Sequence, residues 1–166
     1  MKDRHPEVLK LTQGAAIAAL YVVLTLTFAP ISYGPVQVRI AEALTILPLF
    51  TSAAVPGLFI GCLLANLLGG AIIWDIIFGS LATLIGAWLG YKLRGNRWLV
   101  PLPTVISNAV IVPFVLKYGY GFTDFPLPLL IVYIAIGEIA GCYVLGEILG
   151  SILIRHRREI FGNNET

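Results

Sequence analysis

The sequence predicts an all-α integral membrane protein, a bundle of six transmembrane helices with both ends in the cytoplasm. Two features set the class and a third sets the topology. Of 166 residues, 58% are apolar and 12% charged, against about 25% charged in ordinary soluble domains, and mean hydropathy is +0.89. The apolar residues fall in nearly uncharged runs of about 14 positions or more, long enough to cross or nearly cross a hydrocarbon core of roughly 30 Å. Lipid is therefore the solvent, and residues 1–166 read as a single multi-pass domain of the cell membrane. The third feature is that Lys and Arg gather at the ends of these runs.

The first span is expected over residues 12–29, stopped by Pro30 and followed by a loop around Tyr33, Gly34 and Pro35. It follows Lys2, Arg4 and Lys10 as a secretory signal would, yet it lacks a clear small-x-small cleavage site, exceeds a typical h-region at about 18 residues, and is expected to be retained. The apolar stretch from Ile40 to Leu68 is too long for one span. Small residues and Pro56 between Ser52 and Gly57 cut it into two short helices, 40–52 and 55–68. Further spans are expected over 72–93, 98–116 and 127–154. With six spans and the N-terminus inside, the inner side collects Lys2, Arg4, Lys10, Lys92, Arg94, Arg97, Arg155, Arg157 and Arg158, nine of the eleven basic residues, leaving Arg39 and Lys117 outside. Fusing 40–68 into one span would largely erase that asymmetry.

Small residues four apart mark close helix approaches in lipid. They include Gly14 with Ala18, Ala15 with Ala19, Gly57 with Gly61, Gly86 with Gly90, Gly137 with Gly141, and Gly146 with Gly150. Most serve internal packing. The first helix is the exception, because Gly14, Ala15, Ala16, Ala18 and Ala19 make its inner half almost wholly small and suit it to a partner helix.

Ionisable groups at membrane depth are costly, by at least about 2.5 to 3.5 kcal/mol each on insertion scales, and so point to function. Glu138 falls near the middle of the last span and Asp75 just inside the outer end of the fourth; Arg39 and Glu42 open the second on one face. Gln37 precedes them, Asn66 ends the third span and Asn108 lies in the fifth. In the six-span topology these residues, from five segments, converge on the outer half, as a solute cavity open to the outside requires. Tyr33, Trp74, Phe78, Tyr118, Tyr120 and Tyr133 occur in the same region. Structural roles stand beside the functional ones: Glu42 pairing with Arg39, Asp75 capping the fourth helix, and Tyr118 and Tyr120 in the interfacial belt. Glu147, in the inner half, is expected in a salt bridge or partner contact.

Several classes are excluded. His-Glu-x-x-His, Gly-Lys-Ser/Thr and Gly-x-Ser-x-Gly motifs are missing, both histidines lie in polar tails, and Cys62 and Cys142 sit in apolar runs as small core residues. No enzyme activity, cofactor, metal centre or nucleic-acid partner is expected. Any energy source is an ion gradient or another polypeptide.

The segment from Ser32 to Leu44, with its Gln37-x-Arg39-x-x-Glu42 element, resembles the QueT family. So do Pro56 to Cys62, Asn66 to Gly70, and Trp74-Asp75 through Leu84. That resemblance implies a substrate-binding S component of an energy-coupling factor transporter assigned to queuosine precursors. Such a subunit captures a 7-deazaguanine base and docks, through the small face of its first helix (Gly14, Ala15, Ala18 and Ala19), on a transmembrane coupling (T) component with two ABC-type ATPase subunits. Substrate-binding residues are then expected among Gln37, Arg39, Glu42, Asn66, Trp74, Asp75, Asn108 and Glu138, with carboxylates accepting the guanine-like N–H edge, amides reaching the ring carbonyl and Trp74 stacking on the base. The alternatives are an S component for another vitamin-like solute, a membrane assembly subunit whose polar residues join helices, and a lone ion-coupled carrier.

Overall fold

A computed structural model describes residues 4–34 and 37–156. Lys2, Pro35, Val36, Arg157 and Arg158 lie outside the described residues, as do the side chains of Arg4 and His5.

Every regular element among the described residues is helical. Helix α1 spans Arg4–Thr27 and is followed by a single turn, Ala29–Ser32, with Pro30 in its first positions. Next come α2 (Ile40–Leu49), α3 (Ala54–Leu68) and α4 (Ile73–Lys92). Helix α5 (Leu102–Phe114) follows a 3₁₀ turn at Arg97–Leu99 and continues as a π-helical turn over Val115–Gly119. Helix α6 runs over Leu127–Arg155, with a π-helical stretch at Ile139–Leu145.

Among the described residues, four stretches are long and apolar enough to cross a membrane: Glu7–Thr27, Ile73–Lys92, Arg97–Gly119 and Leu127–Arg155. They coincide with four of the expected spans. The other two expected spans fall on α2 and α3, of 10 and 15 residues. The break between them comes at residues 50–53, just ahead of Pro56, which sits in the first turn of α3, where a missing N–H costs no helical bond.

Helix α2 differs from the expected short span in kind. It is a 3₁₀ helix of 10 residues, long for that form, and at about 2.0 Å rise per residue it extends roughly 20 Å. Residues 41–48 are all buried. Helix α2 is therefore a central post surrounded by protein, and its hydrophobicity reflects the core of the bundle. Ile17 and Tyr21 of α1, Ala41, Leu44 and Leu47 of α2, and Leu58, Cys62 and Ala65 of α3 share one apolar cluster. Val112 and Leu116 of α5 with Leu130 and Ile134 of α6 form another.

The small-residue pairs locate the tight contacts. A Cβ added at Gly57 would stand 2.8 Å from the Gly14 carbonyl, and one at Gly61 would stand 2.7 Å from the Tyr21 Cβ and 3.1 Å from the Ala18 Cα. These glycines let α1 and α3 cross nearly backbone to backbone. Gly86 and Gly90 of α4 meet Thr104 and Val100 in the same way. The glycines of α6 have another partner: Gly137 faces the Gln37 carbonyl, Gly141 the Arg39 carbonyl, and Gly150 the Ile46 side chain. They form a trough in which the extended entry to α2, and then α2 itself, is laid.

Contacts at the two ends show that the helices alternate in direction. At one end, Tyr33 donates to the Ala65 carbonyl (3.0 Å) and the Ile72 N–H donates to the Tyr120 hydroxyl (3.3 Å). At the other, Thr51 donates to the Gln13 side chain (2.9 Å), and Arg97 binds Glu147 through Nε (2.7 Å) and Nη2. Glu147 thus forms the salt bridge expected of it.

Candidate functional site

Burial singles out the first end of the bundle. Gln37, Arg39, Glu42, Asn66, Asp75, Asn108 and Glu138 are all at most 6% exposed, although none has an apolar side chain. Each is brought there by a different local device. The α6 glycine trough seats Gln37 and Arg39, and Glu42 lies in the first turn of the 3₁₀ post. Asn66 is in the last turn of α3 and Asp75 in the first turn of α4. Glu138 is the residue at which α6 passes from α to π geometry, a backbone irregularity often found at functional positions.

The side chains form a linked chain. Arg39 Nε donates to the Ser32 carbonyl (3.1 Å), its guanidinium lies over the Tyr33 ring (5.5 Å to the centroid), and Nη2 is 3.9 Å from Asp75 Oδ2. Tyr120 donates to the same Asp75 oxygen (3.1 Å), and Asn66 Nδ2 donates to the Asp75 backbone carbonyl (3.3 Å). Asp75 is therefore not the helix cap the sequence allowed, since its carboxylate reaches across to Arg39 and Tyr120. Glu42 accepts from the Tyr21 hydroxyl at 2.5 Å. Glu42, Glu138 and Cys142 have ligand atoms within 4.8 Å of one another, and Cys142 Sγ donates to Glu138 Oε2 (3.5 Å). Asn108 lies against the Glu138 carboxyl.

Much of this polar surface is unused. Arg39 Nη2, Glu42 Oε2, Asn66 Oδ1, Asp75 Oδ1 and Asn108 Nδ2 are buried without a hydrogen-bond partner. An unsatisfied buried polar atom costs about 1–3 kcal/mol, more when charged. Two donors and three acceptors, from Arg39 ahead of α2 and from α2, α3, α4 and α5, are therefore left without a hydrogen-bond partner. The trio Glu42, Glu138 and Cys142 has metal-ligand spacing, but Arg39 bears on both carboxylates and opposes a second cation there.

A cavity of about 70 Å³ lies over Asp75, walled by Tyr33, Gly34, Gln37, Leu116, Tyr120 and Phe122. Tyr120 follows the last turn of α5, and burial together with the Asp75 carboxylate pushes its phenol up to about 12, so it stays a proton donor at physiological pH. Trp74 is elsewhere. It is 54% exposed, stacks on Phe78 (6.0 Å) and lines a separate apolar groove of about 520 Å³ with Val110, Ile111, Phe114, Val115, Tyr118 and Gly119. One residue of α-helix rotates the chain by about 100°, so Asp75 turns inward while Trp74 turns outward.

The small residues of α1 also divide. Ala18 is buried and Gly14 faces the Ala53 carbonyl, both against α3, whereas Ala15 and Ala19 are exposed. Sequence reasoning missed Tyr21, which reads as one more apolar-run residue, and read Cys142 as core alone. For Tyr21 the available signal was its place four residues beyond Ile17 on the inner face of α1. It assigned Tyr120 to the interfacial belt, whereas this residue, 37% exposed, also binds Asp75.

Fold and site together define a helical protein able to cross a membrane several times, with a closed polar site held between its helices. The QueT transporter family model matches residues 11–155, and the chain belongs to that family; it is a multi-pass membrane protein of a transporter family. The chain is also similar to the queuosine precursor transporter QueT of Lactococcus lactis subsp. cremoris (strain MG1363), 42% identical over 82 residues, which cover 48% of this chain and 47% of that relative. The match thus spans about half the relative's length. No solved structure matches the chain.

Proposed function

We propose that the chain is the substrate-capture S component of an energy-coupling factor importer. In this role it binds a queuosine precursor, a 7-deazaguanine base, from outside and docks on a transmembrane coupling component with two ATPase subunits. Its fold is then a single six-span unit with both ends inside, α2 and α3 forming a short paired crossing.

The observation that carries the proposal is the set of unpartnered buried atoms at Arg39, Glu42, Asn66, Asp75 and Asn108. A guanine-like base offers an N–H and an amino group side by side, which a carboxylate accepts in bidentate fashion, and a ring carbonyl that an amide or guanidinium N–H can meet. Asp75 and Glu42 supply the acceptors; Arg39 and Asn108 supply the donors. Glu138, next to Glu42, adds a further carboxylate that can accept from the base. Tyr33, Tyr120 and Phe122 offer aromatic surface near Asp75. Because small-molecule sites usually measure roughly 300–1,000 Å³, uptake requires the segment after α5 to part from the loop before α2.

Purified protein is expected to retain 7-aminomethyl-7-deazaguanine, and Glu138→Gln and Asp75→Asn are each expected to weaken retention at least about tenfold while remaining folded, as for loss of a hydrogen bond to a charged group. Titration calorimetry on detergent-purified variants measures this. Wild-type affinity in both variants would remove the site assignment.

A further inference from the structure

Tyr21 is the largest fully buried side chain on α1, the helix whose opposite face is the most open in the bundle. Its hydroxyl donates to Glu42 Oε1 at 2.5 Å, while Glu42 Oε2 is buried with no partner. One oxygen of the carboxylate is thus tied to α1 and the other left for a ligand. The tie is rigid at its base, because the Tyr21 Cβ packs at the Gly61 crossing, where α1 and α3 are almost in backbone contact. With its Cβ held there and its ring fully buried, the phenol is positioned by the α1–α3 crossing.

Resting on the proposed substrate site, we infer that Tyr21 is a positioning residue for it. By holding Glu42 Oε1, it sets the orientation in which Oε2 meets the substrate, and it joins the site to the one helix that presents an open small-residue face. Movement of α1 is thereby transmitted to a binding carboxylate through one hydrogen bond. A phenol at this position is not required for packing alone, since Phe fills the same volume; what Phe lacks is the proton given to Glu42.

The test is a double-mutant cycle on the full-length protein in detergent, with 7-aminomethyl-7-deazaguanine as the probe and affinity and thermal midpoint both recorded. Tyr21→Phe is expected to weaken binding about tenfold, the usual scale for a hydrogen bond to a charged acceptor. In a Glu42→Leu background, where no acceptor is left for the phenol, the same change is expected to cost less than about twofold, because the partner it orients is gone. Equal losses in both backgrounds, or wild-type affinity in Tyr21→Phe while Glu42→Leu loses binding, would overturn the inference and leave the site intact. Full affinity in Glu42→Leu itself would instead remove Glu42 from the site, and the inference would fall with it. Should Tyr21→Phe lower the thermal midpoint, affinity is measured well below that midpoint, where the variant is folded; wild-type affinity there overturns the inference and a tenfold loss supports it.

Discussion

At the scale of single residues, the site depends on where a methyl group cannot go. The Gln37 carbonyl occupies the place a Cβ on Gly137 would take, and Arg39 is seated against Gly141 in the same trough. Gly137→Ala must therefore push the 37–39 stretch away from α6 and carry the Arg39 guanidinium off Asp75. Overpacking of this kind costs about 1–3 kcal/mol. We expect Gly137→Ala to lower the thermal midpoint and weaken base retention by more than about tenfold, since a displacement near 1 Å is enough to cost that much. Gly146→Ala is the control: its Cβ would meet the Ala43 carbonyl at 3.4 Å, an ordinary contact, and both readouts should stay near wild type. Equal behaviour of the two variants would contradict the trough as the seat of Arg39.

At the scale of elements, what could be read in advance was what depends on composition. Runs of apolar residues marked α1, α4, α5 and α6, and the small residues ahead of Pro56 marked the break before α3. Polar residues within or just ahead of the apolar runs marked the seven of eight candidates that the fold buries. Helix α2 was not legible as a 3₁₀ post, because hydropathy cannot separate a helix bathed in lipid from one enclosed by helices. Nor were the π-helical stretches at Val115–Gly119 and Ile139–Leu145. The outward turn of Trp74 follows from helical phase, which a pattern hydrophobic on all faces does not fix. The same phase problem divides α1: Gly14 and Ala18 pack inward on α3, while Ala15 and Ala19 face out. A partner helix can reach only the second pair. The double variant Ala15→Leu, Ala19→Leu is therefore expected to lose co-purification with the coupling component and ATPases while keeping base affinity within about twofold, since surface changes away from packed features are nearly neutral. Ala18→Leu should destabilise the bundle itself. An intact complex from the double variant would sink α1 as the docking face.

For the whole molecule, the two ends of the bundle differ in kind, and that difference implies an orientation. One end holds the buried polar site and, in the last turn of α5, Lys117, which donates to the Phe125 carbonyl at 3.2 Å. The other carries Lys92, Arg94 and Arg97 around the α4–α5 connection and Arg155 at the close of α6. Basic residues beside spans are retained on the cytoplasmic side, which supports the proposed orientation with the site end outward. Helix α1, at 24 residues and 1.5 Å per residue, is about 36 Å long and crosses fully. The turn between α2 and α3, through Thr51, reaches only to Gln13, less than one helical turn beyond Lys10, so the short pair comes close to the inner boundary. Both native cysteines are buried, which allows single-cysteine mapping in intact cells. Thr123→Cys, in the exposed segment between α5 and α6, is expected to react with a membrane-impermeant maleimide from outside, and Gly95→Cys, between α4 and α5, only after permeabilisation. The reverse pattern would place the site end in the cytoplasm and overturn the proposed capture of a solute from outside.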